Sequence, residues 1–155
     1  MRKSLLFAVF LLYGLTNFAQ KKPLTHDVYD GWQSAGERAI SADGKYVVYS
    51  INPQEGDGTL YVKGIDNSFI KQVPRGYQAK FSEDSRFLIF KIRPLYKDTR
   101  DARIKKKKPD EMPKDSLAII ELGKDSILKI PRVKSYKTPE KGEGQWLAYH
   151  LEKAL

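Results

Sequence analysis

The chain contains no cysteine, two histidines and two tryptophans among 155 residues. Without cysteine there is no thiol nucleophile, no disulfide framework and no Cys-based zinc site, and His26 and His150 alone cannot build a His-rich metal centre. No Gly-x-Ser-x-Gly elbow occurs; the nearest string, Gly31-Trp32-Gln33-Ser34-Ala35-Gly36, has the wrong spacing for the nucleophile of an α/β-type serine hydrolase. Walker-type and dinucleotide-binding glycine patterns are missing as well. His26 adjoins Asp27 in a polar stretch and His150 fills the polar slot of a strand, so both read as structural. Glu55-Gly56-Asp57-Gly58 lacks the further oxygen ligands of a calcium loop and reads as a hairpin turn. The sequence therefore nominates no catalytic, no cofactor-binding and no metal-ligating residue.

Long apolar runs are scarce too. The clearest, Ser4 to Leu15, is about a dozen residues, too short to span a bilayer comfortably. It follows Met1-Arg2-Lys3 and precedes the small and polar Thr16-Asn17-Phe18-Ala19-Gln20, the layout of a secretory signal peptide over residues 1–20 with Lys21 opening the mature chain. Export to the periplasm or the medium is the expectation, with no membrane span left after cleavage.

What the chain does have is a repeat. Ser41-Ala42-Asp43-Gly44-Lys45-Tyr46-Val47-Val48-Tyr49-Ser50-Ile51 matches Ser82-Glu83-Asp84-Ser85-Arg86-Phe87-Leu88-Ile89-Phe90-Lys91-Ile92, and Glu143-Gly144-Gln145-Trp146-Leu147-Ala148-Tyr149-His150-Leu151 follows the same pattern. Each reads turn, aromatic, aliphatic, aliphatic or small, aromatic, polar, aliphatic. The first two copies are each followed by strand, polar turn and strand ending in a Pro-Arg pair, Pro74-Arg75 and Pro131-Arg132. Short strands and tight turns recurring about every 40 residues are the pattern of a β-propeller blade. The predicted fold class is all-β: a partial β-propeller of about two and a half blades over residues 21–155. Asp43-Gly44, and less ideally Asp84-Ser85, are expected in two-residue hairpin turns. Val28 to Arg38, a weak helical candidate, reads as a loop because of Asp30-Gly31 and Gly36. A small β-sandwich or meander is the alternative architecture.

Negative charge is in short supply, with 19 Asp and Glu against 28 Lys and Arg. The excess is local. An insertion at 93–114 interrupts the second repeat and carries Arg93, Lys97, Arg100, Arg103, Lys105 to Lys108 and Lys114 against Asp98, Asp101, Asp110 and Glu111. Clustered lysines suit phosphates or anionic membranes. With Tyr96 as the sole aromatic and with Pro109 and Pro113 set against helix, the insertion reads instead as a solvated inter-strand loop, without nucleic acid as a partner.

The run Asp27-Val28-Tyr29-Asp30-Gly31-Trp32, followed by Gly36-x-Arg38-x-Ile40-Ser41-x-Asp43-Gly44-Lys45-Tyr46 and by Asn52-Pro53-Gln54-Glu55-Gly56-Asp57-Gly58-x-Leu60, resembles the start of exported bacterial serine peptidases of the prolyl oligopeptidase family. The resemblance implies an N-terminal β-propeller that covers a C-terminal α/β-hydrolase domain, with peptides as substrates and the catalytic Ser, Asp and His in the hydrolase domain. None of the positions matched here is catalytic in that family. The expectation is a fragment or truncated frame, inactive by itself, whose partner is the hydrolase domain. A free-standing exported β-repeat binding protein is the alternative.

Overall fold

The computed structural model describes residues 28–29, 31–139 and 146–153. The signal peptide expected over 1–20, His26 and the turn of the third sequence copy, residues 143–145, lie outside these. The described residues form an all-β arrangement of antiparallel sheets with one α-helix.

The first sheet runs in simple order through β1 (Gln33–Ile40), β2 (Tyr46–Pro53), β3 (Thr59–Gly64) and β4 (Ile70–Pro74). The second repeats it with β5 (Gly76–Phe81), β6 (Phe87–Ile92), β7 (Ser116–Glu121) and β8 (Ile127–Ile130). A third begins with β9 (Val133–Lys137) paired to β10 (Ala148–Leu151). Repeated sequence thus becomes repeated sheet.

The turn that opens each copy is fixed by its own side chains. Ser41 Oγ donates to Asp43 Oδ1 at 2.6 Å and accepts from the Tyr46 N–H at 3.0 Å, while Asp43 Oδ1 accepts from the Lys45 N–H. Ser82, Asp84, Phe87 and Arg86 repeat this lock 41 positions later with matching distances. These are not two-residue hairpins as expected, because the locks close on the pairs Ser41–Tyr46 and Ser82–Phe87 and leave four residues in each loop. The third residue of each loop is left-handed: Gly44 has φ of 71° and Ser85 has φ of 54°. The two turns also touch, the Asp43 N–H donating to Ser85 Oγ at 3.1 Å.

The Pro-Arg pairs do a different job, carrying the chain from one sheet to the next. Arg75 and Arg132 both sit in the left-handed region, at φ of 65° and 60°. Their carbonyls receive equivalent bonds from the Arg93 and Glu152 N–H groups.

Alternation along β6 explains how the sheets stack. Leu88, Phe90 and Ile92 point one way, into a core shared with Val48, Leu60, Val62, Phe69 and Val73 of the first sheet. Ile89 points the other way, packing with Leu117 of its own sheet and Val133 of the third. The second sheet is buried on both faces, and each large side chain taken fully out of water adds about 1.5–3 kcal/mol.

Val28 to Arg38, expected as a loop, contributes most of β1. The strand is polar and largely exposed, so it lacks the apolar alternation that would mark it. Gly36 lets the strands approach closely there: a Cβ would come within 2.7 Å of Ser50 Oγ and 2.8 Å of Asn52 Nδ2, and those side chains would have to shift.

The insertion is also not the loop expected. It contains α1 (Tyr96–Ile104) and a 3-10 turn, Pro109–Glu111. Leu95 at the N-cap offers no side-chain oxygen, and the cap comes from the first sheet, where Asp57 Oδ1 accepts the Tyr96 N–H at 2.9 Å and Glu55 accepts the Tyr96 hydroxyl. The hairpin Glu55 to Gly58 does join β2 to β3 as expected, and it clamps the helix as well.

Candidate functional site

Two places bring polar chemistry together. The first is a groove of about 790 Å³ between the opening strands β1, β5 and β9. Arg38, Lys80, Lys137 and Gln78 supply its polar wall, with Tyr136 and Trp146 as its aromatic side. Its carboxylate, Glu37, accepts the Ala79 N–H at 3.2 Å and so ties β1 to β5. The Tyr136 hydroxyl donates to the Gln78 carbonyl. Burial, helped by the negative charge of Glu37, pushes the Tyr136 phenol up to about 12, which keeps it a neutral donor. The groove sets strand backbones beside cationic side chains, and among the described residues no hydrogen-bonded pair of nucleophile and base lines it.

The second is a polar knot around the buried Lys91. Lys91 Nζ lies 2.7 Å from Asp115 Oδ2 and donates to the Lys134 carbonyl at 3.1 Å, so it fastens the second sheet to β9. The Tyr77 hydroxyl donates to the same carboxylate, and the Arg93 guanidinium lies 4.3 Å over the Tyr77 ring. Burial pulls the Lys91 ammonium down, but Asp115 and Tyr77 outweigh it and hold the group above its ordinary value. Burial, reinforced by Asp115, raises Tyr77 in turn. Lys91 and Tyr77 both converge on Asp115 Oδ2, and Lys91 also reaches the Lys134 carbonyl, so the knot is a structural tie. Lys91 stands in the slot that Ser50 fills in the first sheet; its length lets it reach the next sheet.

His150 occupies the corresponding slot of β10, opposite Ser135, and is exposed. Its imidazole has no hydrogen-bond partner among the described residues. No group of three metal-ligating side chains occurs among them either. Neither the groove nor the knot was expected from sequence; the pairing of Lys91 with Asp115 has no local signal, since the two meet only through strand register.

No family model and no curated protein matches the chain. Solved structures do resemble it. One comes from a study entitled "Structural and Mechanistic Analysis of Two Prolyl Endopeptidases: Role of Inter-Domain Dynamics in Catalysis and Specificity", at 24% identity over 61% of this chain and 14% of that one, with a TM-score of 0.42. Another is acylaminoacyl peptidase in complex with Z-Gly-Gly-Phe-chloromethyl ketone, at 11% identity over 77% of this chain and 20% of that one, with a TM-score of 0.48. The chain therefore spans a fifth or less of the length of either protein. Likeness at this level assigns neither an activity nor site residues.

Proposed function

We propose that the chain is the N-terminal propeller region of an exported serine peptidase of the prolyl oligopeptidase family, each four-stranded sheet being one blade. The observation that carries the blade reading is the recurrence of one hydrogen-bonded Ser-x-Asp turn in stacked, equally ordered sheets whose first strands lie side by side. The peptidase reading is supported by the resemblance of the opening strings from Asp27 to Leu60. On this reading the hydrolytic Ser, Asp and His belong to an α/β-hydrolase domain, and no residue of this chain touches the scissile bond. The groove between β1, β5 and β9 is then part of the passage that sizes and steers a peptide.

The test reads the gene through the codon for Leu155 and assays the product of the whole frame on a chromogenic peptide with proline before the cleaved bond. A frame encoding Gly-x-Ser-x-Gly, an active full product and a silent 155-residue chain are expected. A complete frame with no hydrolase domain and no peptidase activity would overturn the proposal. Export is tested by N-terminal sequencing of the cellular protein, which should begin at Lys21.

A free-standing binding protein is favoured by a different observation. Trp146, Tyr149 and Leu151 are about half exposed at the third sheet. A closed oligomer of defined size by light scattering would support that reading.

A further inference from the structure

We propose that the insertion between β6 and β7 is a docking surface for a bilayer of anionic phospholipid, with Arg100, Arg103 and Lys105 to Lys108 meeting the headgroups and Ile104 entering the interface. This is independent of the peptidase reading.

Most of these cations are not ion-paired. Lys97, Arg100, Arg103 and Lys105 to Lys108 have no carboxylate within ion-pair distance among the described residues, although Asp98 and Asp101 share their helix. Lys114, at the base, is different: it lies 4.0 Å from Glu152 and donates to the Pro109 carbonyl. Arg103 lies in the last turn of the helix and Lys105 to Lys108 follow it, at the end where the macrodipole favours cations.

The lysine run also has a defined backbone. The Lys107 N–H donates to the Ala102 carbonyl and the Lys106 N–H to the Arg103 carbonyl, the paired bonds of a Schellman motif, with Lys106 left-handed at φ of 51°. Asp57 and Glu55 hold the other end of the helix, and Ala102 is buried beneath it. The cations therefore stand on a fixed corner, and little backbone ordering opposes binding.

Ile104 decides between partners. It is 69% exposed in the midst of the cations, and Leu95 is exposed at the far end of the helix. Basic residues around an apolar side chain suit the headgroup boundary of a bilayer. Single-stranded nucleic acid would need aromatic faces to stack on, and Tyr96, the insertion's one aromatic, is engaged by Glu55.

The test is co-sedimentation of the full chain with vesicles of phosphatidylcholine alone or mixed with an equal amount of phosphatidylglycerol. Pure phosphatidylcholine accounts for any contribution of the apolar run Ser4 to Leu15. Preferential binding to the mixed vesicles, released by salt, is expected. Replacing Lys105 to Lys108 together by Gln should weaken it at least about a hundredfold, and Ile104→Ser about tenfold. Circular dichroism should be unchanged in both variants, since all five side chains are exposed. Equal binding to both vesicle types, or full binding by either variant, would overturn the proposal. Binding to heparin or duplex DNA without binding to mixed vesicles would also overturn it, assigning the corner to soluble polyanions.

Discussion

The first and second sheets share a turn lock, a strand order and a Pro-Arg elbow, yet differ in three places. Ser50 faces Lys91 across the comparison, Gly44 faces Ser85, and the short hairpin Gln54 to Gly58 faces the stretch Arg93 to Asp115. The shared features are backbone and turn hydrogen bonds or fully buried apolar positions. The divergent ones each act on something outside their own sheet: Lys91 reaches β9, Ser85 receives the neighbouring turn, and the insertion rests on the first sheet's hairpin. Repetition sets the framework, and departures from it make the connections.

That contrast can be broken most severely at the buried apolar positions the two sheets have in common. Leu60 and Leu117 hold equivalent, fully buried positions, so Leu60→Ala and Leu117→Ala should each cost about 2–5 kcal/mol in urea unfolding. Similar losses are expected; a near-zero loss at either site would show that its sheet is not part of the cooperative unit. Next comes the knot. Asp115→Asn leaves a buried ammonium without its counter-charge and should cost about 3 kcal/mol, whereas Lys91→Met combined with Asp115→Asn should recover most of it. A double variant as unstable as the single one would refute the tie.

Alkali should loosen the same region. Tyr77, Lys91 and Tyr136 all hold their protons more tightly in the fold than at their ordinary values of 10.0, 10.5 and 10.0. Their stabilisation is complete below about pH 10 and declines as pH rises through the folded values, which for Tyr136 lie near 12. Absorbance titration should show one phenol ionising near that value, and Tyr136→Phe should remove it. The smallest effects belong to the turns. Gly44→Ser should cost about 1 kcal/mol from backbone strain alone, because no atom lies within 4 Å of its added Cβ. Ser85→Gly should change stability by less than about 0.5 kcal/mol, since relief of strain is offset by loss of the bond from Asp43.

Sequence alone revealed whatever is encoded locally. The Ser-x-Asp turns, the aromatic-aliphatic strands and the site of the insertion depend on neighbours within a few positions. β1 is not legible because an exposed polar strand has no period-2 signal, and the space beside its Gly36 is set by Ser50 and Asn52 across the sheet. The helix at Tyr96 escaped because its cap lies 39 positions upstream, in Asp57. The groove and the knot are products of register and stacking, which no stretch of sequence contains by itself.

The two-sided burial of β6 also has a meaning for how the molecule opens. In a row of like units coupled only to their neighbours, the end units have one bond to lose and the inner unit two. The second sheet is such an inner unit, with Phe90 locked to one neighbour and Ile89 to the other. Loss of either neighbour leaves β6 packed on the other, so among the described strands the amides of β6 and β7 should be the last to trade their hydrogens with water.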